Sequence, residues 1–180
     1  VLDIVIPLQD QKRVYGNETR EKYALEIARR KTAYYSFVSP LAMGFMLAEV
    51  CQKSDIEWAK DLGEDLGMAY QLENDLRSIS EMEQKSRLPR DIVRYRVTYA
   101  NSVLAQNERM KTIMLQGVQE TKEIIEEILK YAEESDWAAA VRERENVYLK
   151  AAHDKVFDRS DWGDEKKDLF WTSIRVFFQA

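Results

Sequence analysis

The sequence predicts an all-α fold, and three observations carry the prediction. Only 6 Gly and 3 Pro punctuate 180 residues, while Ala, Leu, Glu, Lys, Arg, Met and Gln, the residues that lose least on entering a helix, are abundant. No Asn-Gly or Asp-Gly pair, the signature of a tight β-hairpin, occurs anywhere. Apolar residues recur at helical spacing, as in Ile113, Leu115, Val118, Ile124, Ile125, Ile128 and Leu129. With 45% hydrophobic and 33% charged residues, the chain has the balance of a globular protein and not of a disordered one. Its length suits a single domain over residues 1–180, since a domain of roughly 150 residues buries about 68–70% of the surface its unfolded chain exposes.

The elements follow in order. Residues 1–17 join a short apolar run, Val1 to Leu8, to polar residues and take no assignment. The chain opens at Val1 with neither an initiator Met nor a signal-like region, which points to a start inside a longer protein. Asn17-Glu18-Thr19-Arg20 offers N-cap oxygens to a helix running to about Val38, where Ser39-Pro40 breaks or kinks it before a second piece to about Gln52. Ser54-Asp55-Ile56-Glu57 has the capping-box pattern, Ser-x-x-Glu, and opens a helix to about Met82. Pro89 suits the first turn of a helix from Arg90 to about Gln106; others span Glu108 to about Glu134 and Trp137 to about Val156. After an acidic turn from Asp158 to Asp164, a last helix from about Lys166 carries Leu169, Phe170, Trp171, Ile174, Val176, Phe177 and Phe178, an apolar face suited to burial. No repeat or linker divides the chain, so the elements form one bundle of six or seven helices.

Composition excludes several functions. The single Cys51 rules out an internal disulfide and favours a reducing, cytoplasmic setting; the single His153 rules out His-rich metal sites. A net charge of −5, with basic residues interspersed among acids, argues against nucleic acid as a partner. The most apolar stretch, Phe37 to Val50, contains Ser39, Pro40 and Glu49 and is too short to span a bilayer.

The helix from Asp55 to Met82 holds the chemistry. At about 100° per residue, Gly67, Gln71, Asn74, Ser78 and Glu81 fall along one stripe, with Asp75 about 100° round from Asn74. Gly63 and Gly67 leave room for the close approach of a backbone or a ligand. On pattern alone the stripe reads as the solvated face of an amphipathic helix.

Lys31-Thr32-Ala33-Tyr34-Tyr35-Ser36-Phe37, then an apolar stretch with Pro40 and Ala42, then Gly67-Met68-Ala69-Tyr70-Gln71-Leu72-Glu73-Asn74-Asp75, resembles the middle of farnesyl-diphosphate-synthase-like trans-prenyltransferases. In that family Lys-Thr is followed by an aromatic-Gln pair and a second aspartate-rich motif, Asp-Asp-x-x-Asp. Lys31 and Asn74 are 43 positions apart, the separation of the family's Lys and the first Asp of its motif. The resemblance covers Lys31 to Pro89 and, more loosely, Glu18 to Arg30. It implies an isoprenoid-synthase-type antiparallel helical bundle whose N-terminal helices lie upstream of Val1. It also implies Mg²⁺, an allylic isoprenoid diphosphate as substrate, and a homodimer or a pairing with another subunit. Lys31 would then contact the diphosphate, and the Thr32 and Gln71 oxygens would face the cation that forms as the diphosphate leaves. Asn74, Asp75, Ser78 and Glu81 would serve the metal, since Mg²⁺ takes hard oxygen ligands.

The chain departs from the family's pattern in three places. Asn74-Asp75-Leu76-Arg77-Ser78 replaces two of three acids with neutral donors, which weakens binding of a hard dication. It approaches the Asn-Asp-x-x-Ser-x-x-x-Glu motif of class I terpene cyclases, except that Met82 stands where that motif has Glu; Glu81 is one residue early and only about 20° from Asn74 around the helix. The family's Gly-Lys-rich loop is shortened to Gln84-Lys85-Ser86-Arg87-Leu88-Pro89, where Lys85 and Arg87 keep positive charge available to a diphosphate. No Asp-Asp-x-x-Asp occurs at all. Three readings follow: a prenyltransferase using isopentenyl diphosphate or a specialised acceptor, a terpene-cyclase-like synthase, and a catalytically silent helical subunit of a prenyl diphosphate synthase.

Overall fold

The computed structural model describes residues 17–48, 52–85, 87–116 and 121–179, except for the side chains of 17–19, 83–85, 177 and 179. Residues 1–16, left unassigned above, lie outside this range. The described residues are mostly helical, with no strand among them. Helix α1 (Asn17–Ala28) leads into a π-helix, π1 (Arg29–Val38), and then into α2 (Ser39–Leu47). The long α3 (Lys53–Lys85) follows, then the short α4 (Arg90–Val93) and α5 (Tyr99–Leu104), and then α6 (Glu108–Leu115), α7 (Lys122–Glu134), α8 (Trp137–Phe157) and α9 (Asp164–Gln179).

Four expectations change. Ser39-Pro40 does not break the chain: Val38 and Ser39 both keep right-handed helical angles, and the Ser39 N–H donates to the Tyr34 carbonyl five residues back. Pro40 has no N–H to give to Ser36 and its ring crowds that carbonyl; a ladder already widened to five-residue spacing carries the helix past it. The cap of α3 also sits two residues earlier than the Ser-x-x-Glu pattern suggests. The Gln52 N–H donates to the Asp55 carboxylate at 2.8 Å, while the Gln52 carbonyl receives the N–H groups of Asp55 and Ile56. The helix expected from Arg90 to Gln106 is interrupted between α4 and α5, where Tyr95 takes a left-handed angle, φ 47°, and Thr98 caps α5 by accepting the Asn101 N–H. The helix expected from Glu108 to Glu134 is likewise two elements, with Asn107 and Thr121 as N-caps.

The chain divides into two compact units, one of residues 1–27 with 74–142 and the other of 28–73 with 143–180. In the second unit Leu62 and Leu66 of α3 pack with Ala152 and Val156 of α8 and Ile174 of α9, with Phe170, Trp171 and Phe178 of the last helix against them, while its Leu169 and Val176 stay exposed. Each fully buried Leu contributes roughly 1.5–3 kcal/mol. Arg159 closes this unit: its guanidinium lies over the Trp58 and Trp162 rings at 4.5 and 4.9 Å and pairs with Asp55 and Asp161. In the first unit Leu76, Ile79 and Met82 of α3 are buried, as are Ile92, Leu104, Ile113, Ile128 and Trp137. The Trp137 indole N–H donates to the Ala100 carbonyl at 2.7 Å.

Candidate functional site

Two groups of motif residues emerge, one in each unit. In the second unit the close approach of π1 to α3 is set by glycine. A Cβ on Gly67 would lie 2.2 Å from the Ala33 Cα, and one on Gly63 would lie 2.7 Å from the Val38 Cα. Only hydrogen fits at either place. One turn beyond Gly67, the same approach brings Thr32, 9% exposed, to Gln71: the Thr32 hydroxyl donates to the Gln71 side-chain oxygen at 2.6 Å. Two motif residues 39 positions apart are therefore joined directly. Lys31 lies on the exposed side of π1. The Tyr70 ring, next to Gln71, meets Phe37 at 5.4 Å and Phe178 at 6.3 Å.

In the first unit the stripe on α3 is not a uniform solvated face. Asn74 and Ser78 are half-buried and Glu81 is exposed, while Asp75 is buried. The Ser78 hydroxyl donates to the Asn74 carbonyl at 2.9 Å, leaving its oxygen lone pairs free to accept. A cavity of about 330 Å³ opens here, lined by Ser78 and Glu81 of α3, by Arg87, Leu88 and Pro89 of the following loop, and by Arg90 and Asp91 of α4. The structure thus gathers Ser78, Glu81 and Arg87 around one space. The side chain of Lys85 lies outside the described residues.

Asp75 points elsewhere. Its carboxylate accepts the Ala100 N–H at 3.4 Å, the same peptide whose carbonyl Trp137 holds. It lines a second space of about 20 Å³ together with Ser78, Asp91, Thr98 and Asn101, enough for about one water molecule. Ser78 and Asp91 border both spaces. Sequence reasoning missed Asp91 and its partner Arg96, 3.3 Å away. Asp91 sits two residues after Pro89 in the first turn of α4, and the only available signal was that acid beside two arginines in a loop lacking glycine. At the end of α4 the Tyr95 phenol is pushed above its usual range, chiefly by burial and against the opposing pull of Arg20, whose guanidinium stacks 3.9 Å from the ring.

Apart from Trp137 and Phe178, this geometry falls within a stretch that matches a known family. Residues 2–135 match the family model described as Polyprenyl synthetase. The chain belongs to the polyprenyl synthetase family. No curated protein and no solved structure matches it. Membership agrees with the all-α, isoprenoid-synthase-type fold and, at the coarse level, places this polyprenyl synthetase relative among prenyltransferases acting on isoprenoid diphosphates. No helix among the described residues is long and apolar enough to cross a membrane.

Polyprenyl synthetases generally use Mg²⁺, and the donors present fit that ion in one specific way. Among the described residues no three His, Cys, Asp or Glu side chains gather as a self-sufficient cage. The larger cavity nevertheless offers the Glu81 and Asp91 carboxylates and the Ser78 hydroxyl beside the guanidinium groups of Arg87 and Arg90. Mg²⁺ characteristically takes one or two carboxylates, several waters and substrate phosphates. The set suits an ion that arrives with a diphosphate.

Proposed function

We propose that the chain is a Mg²⁺-dependent prenyltransferase that ionises an allylic isoprenoid diphosphate and transfers the prenyl group to isopentenyl diphosphate or a specialised acceptor. The observation that carries this reading is the cavity lined by two acids, Glu81 and Asp91, and two arginines, Arg87 and Arg90, inside a stretch matching a polyprenyl synthetase. Ser78 and Glu81, aided by Asp91, would hold Mg²⁺, with Asn74 and Asp75 as the remaining donors of the motif. Bound there, the ion supplies positive charge against the charge that builds on a departing diphosphate. Arg87 and Arg90 match diphosphate oxygens in planar, bidentate fashion and hold the leaving group by its charge, with Lys85, the last residue of α3, as a further cation. Lys31, Thr32 and Gln71 keep the roles their motif implies, at the diphosphate and at the developing cation. The Thr32–Gln71 hydrogen bond supports that reading, because it fixes the Gln71 amide so that its oxygen presents the negative end of a dipole without reorganising.

A second reading, a catalytically silent subunit, is favoured by the lack of any three-acid group among the described residues. The two separate in one assay. The chain is incubated with Mg²⁺ and geranyl or farnesyl diphosphate, with and without isopentenyl diphosphate, and pyrophosphate release is measured. Release that depends on isopentenyl diphosphate supports the transferase; release without any acceptor shifts the reading to a cyclase. No release under any condition, with helicity intact, leaves the silent subunit.

A further inference from the structure

Helix α4 ends in a turn that glycine usually occupies, and here the residue is tyrosine. Tyr95 sits at φ 47°, where crowding between Cβ and the carbonyl costs roughly 1–2 kcal/mol. The Arg96 N–H donates to the Asp91 carbonyl and the Tyr95 N–H to the Ile92 carbonyl, each at 2.9 Å; this pair of bonds is the Schellman helix end. A strained residue persists only where its surroundings over-determine it, and the neighbouring helix supplies the constraint. Asn101, 2% exposed, directs its side-chain NH₂ at this turn, with Nδ2 2.8 Å from the Asp91 carbonyl oxygen and 3.0 Å from that of Arg96. Its own N–H is held by the Thr98 hydroxyl at 3.1 Å. The two residues whose carbonyls are clamped also form the Asp91–Arg96 ion pair, and Asp91 lines the larger cavity.

We propose that Asn101 is the positioning residue of this cavity: by clamping the carbonyls of Asp91 and Arg96 it holds the strained turn that presents the Asp91 carboxylate to a Mg²⁺–diphosphate. The inference rests on the reading of the cavity given above. Asn101 touches no ligand itself. Two donors on one buried carboxamide fix both ends of the turn, so removing them frees the turn without opening a hole in the core.

The test compares Asn101→Leu, branched at the same carbon but unable to donate, with Asn107→Ala, which removes the N-cap of α6 (bonds of 3.0 and 3.1 Å to the Arg109 and Met110 N–H groups) at a comparable loss of stability. Affinity for inorganic diphosphate in the presence of Mg²⁺ is measured calorimetrically, and trypsin cleavage after Arg94 and Arg96 is followed in parallel. Asn101→Leu should weaken diphosphate binding about ten-fold or more and speed trypsin cleavage after both arginines, while Asn107→Ala binds as the wild type does. Equal affinity in Asn101→Leu and wild type overturns the proposal, as does an equal loss in Asn107→Ala. If Asn101→Leu loses its helical signal, the isosteric Asn101→Asp, which also lacks the donors, replaces it under the same criteria. A wild-type chain that binds no diphosphate overturns the cavity reading and the proposal with it; binding that survives in Asn101→Leu overturns the proposal alone.

Discussion

The Thr32 hydroxyl donates to the Gln71 side-chain oxygen at 2.6 Å, locking π1 to α3 at the centre of the family's Lys-Thr and aromatic-Gln motifs. Thr32→Val and Gln71→Leu should each destabilise the chain by about 1 kcal/mol, the net worth of one such bond together with a group left unpaired. Because both lose the same interaction, the double variant should fall short of the sum by about 0.5 kcal/mol or more in urea denaturation. Strictly additive losses would show that the two side chains are energetically independent.

Gly67 separates packing from propensity. An alanine is worth up to about 1 kcal/mol more than glycine inside a helix, yet at Gly67 its Cβ would meet the Ala33 Cα at 2.2 Å. Gly67→Ala should therefore destabilise by about 1–3 kcal/mol. Gly44 has nothing within 4 Å of its added Cβ, and Gly44→Ala should stabilise by about 0.5–1 kcal/mol. Thermal melts of the two variants should move in opposite directions.

The fold was legible where one residue type decides it. Scarce glycine and proline gave the all-α class, and Gly63 and Gly67 marked a close approach that the structure fills with the backbone of π1. What escaped is set by geometry that side-chain pattern does not encode. The π-helical register of Arg29–Val38 arises from the hydrogen-bond ladder ahead of Pro40, and a sequence shows only the proline. The left-handed Tyr95 is not a glycine and so gave no turn signal; Asn101, whose side chain bonds the carbonyls on either side of it, lies six residues on. The motif row was read as a set of residue types. Which of its members share a space was not readable, because Asp75 faces Ala100 while Glu81 lines one cavity with Asp91, a residue beyond the loop that follows α3.

The start of α3 predicts a pH dependence. The Asp55 carboxyl is held below its usual range, first by the Gln52 N–H and then by the Arg159 guanidinium. Its folded-state value is thus depressed, so the stability it contributes is present above the unfolded value near roughly 4 and is lost as pH falls through the lower folded value. Urea midpoints measured from pH 6 down to pH 2.5 should drop less steeply below pH 4 for Asp55→Asn than for the wild type. Parallel curves would show that Asp55 does not couple protonation to folding.

Asp75 is where the motif's chemistry and the structure's packing meet, and two substitutions separate them. It is buried and accepts the Ala100 N–H, so Asp75→Ala leaves a buried donor poorly satisfied and should cost about 1–3 kcal/mol in stability. Asp75→Asn keeps an oxygen for that N–H and should melt close to the wild type. It nevertheless removes the charge that borders, with Ser78 and Asp91, the small space behind the larger cavity. Residues in that supporting position typically change metal-dependent activity about 10- to 100-fold, and pyrophosphate release by Asp75→Asn should fall within that range. A loss far beyond it would mean that Asp75 turns to ligate the ion directly. Unchanged release would confine Asp75 to holding Ala100 and leave Ser78, Glu81 and Asp91 as the metal's only partners on the cavity wall.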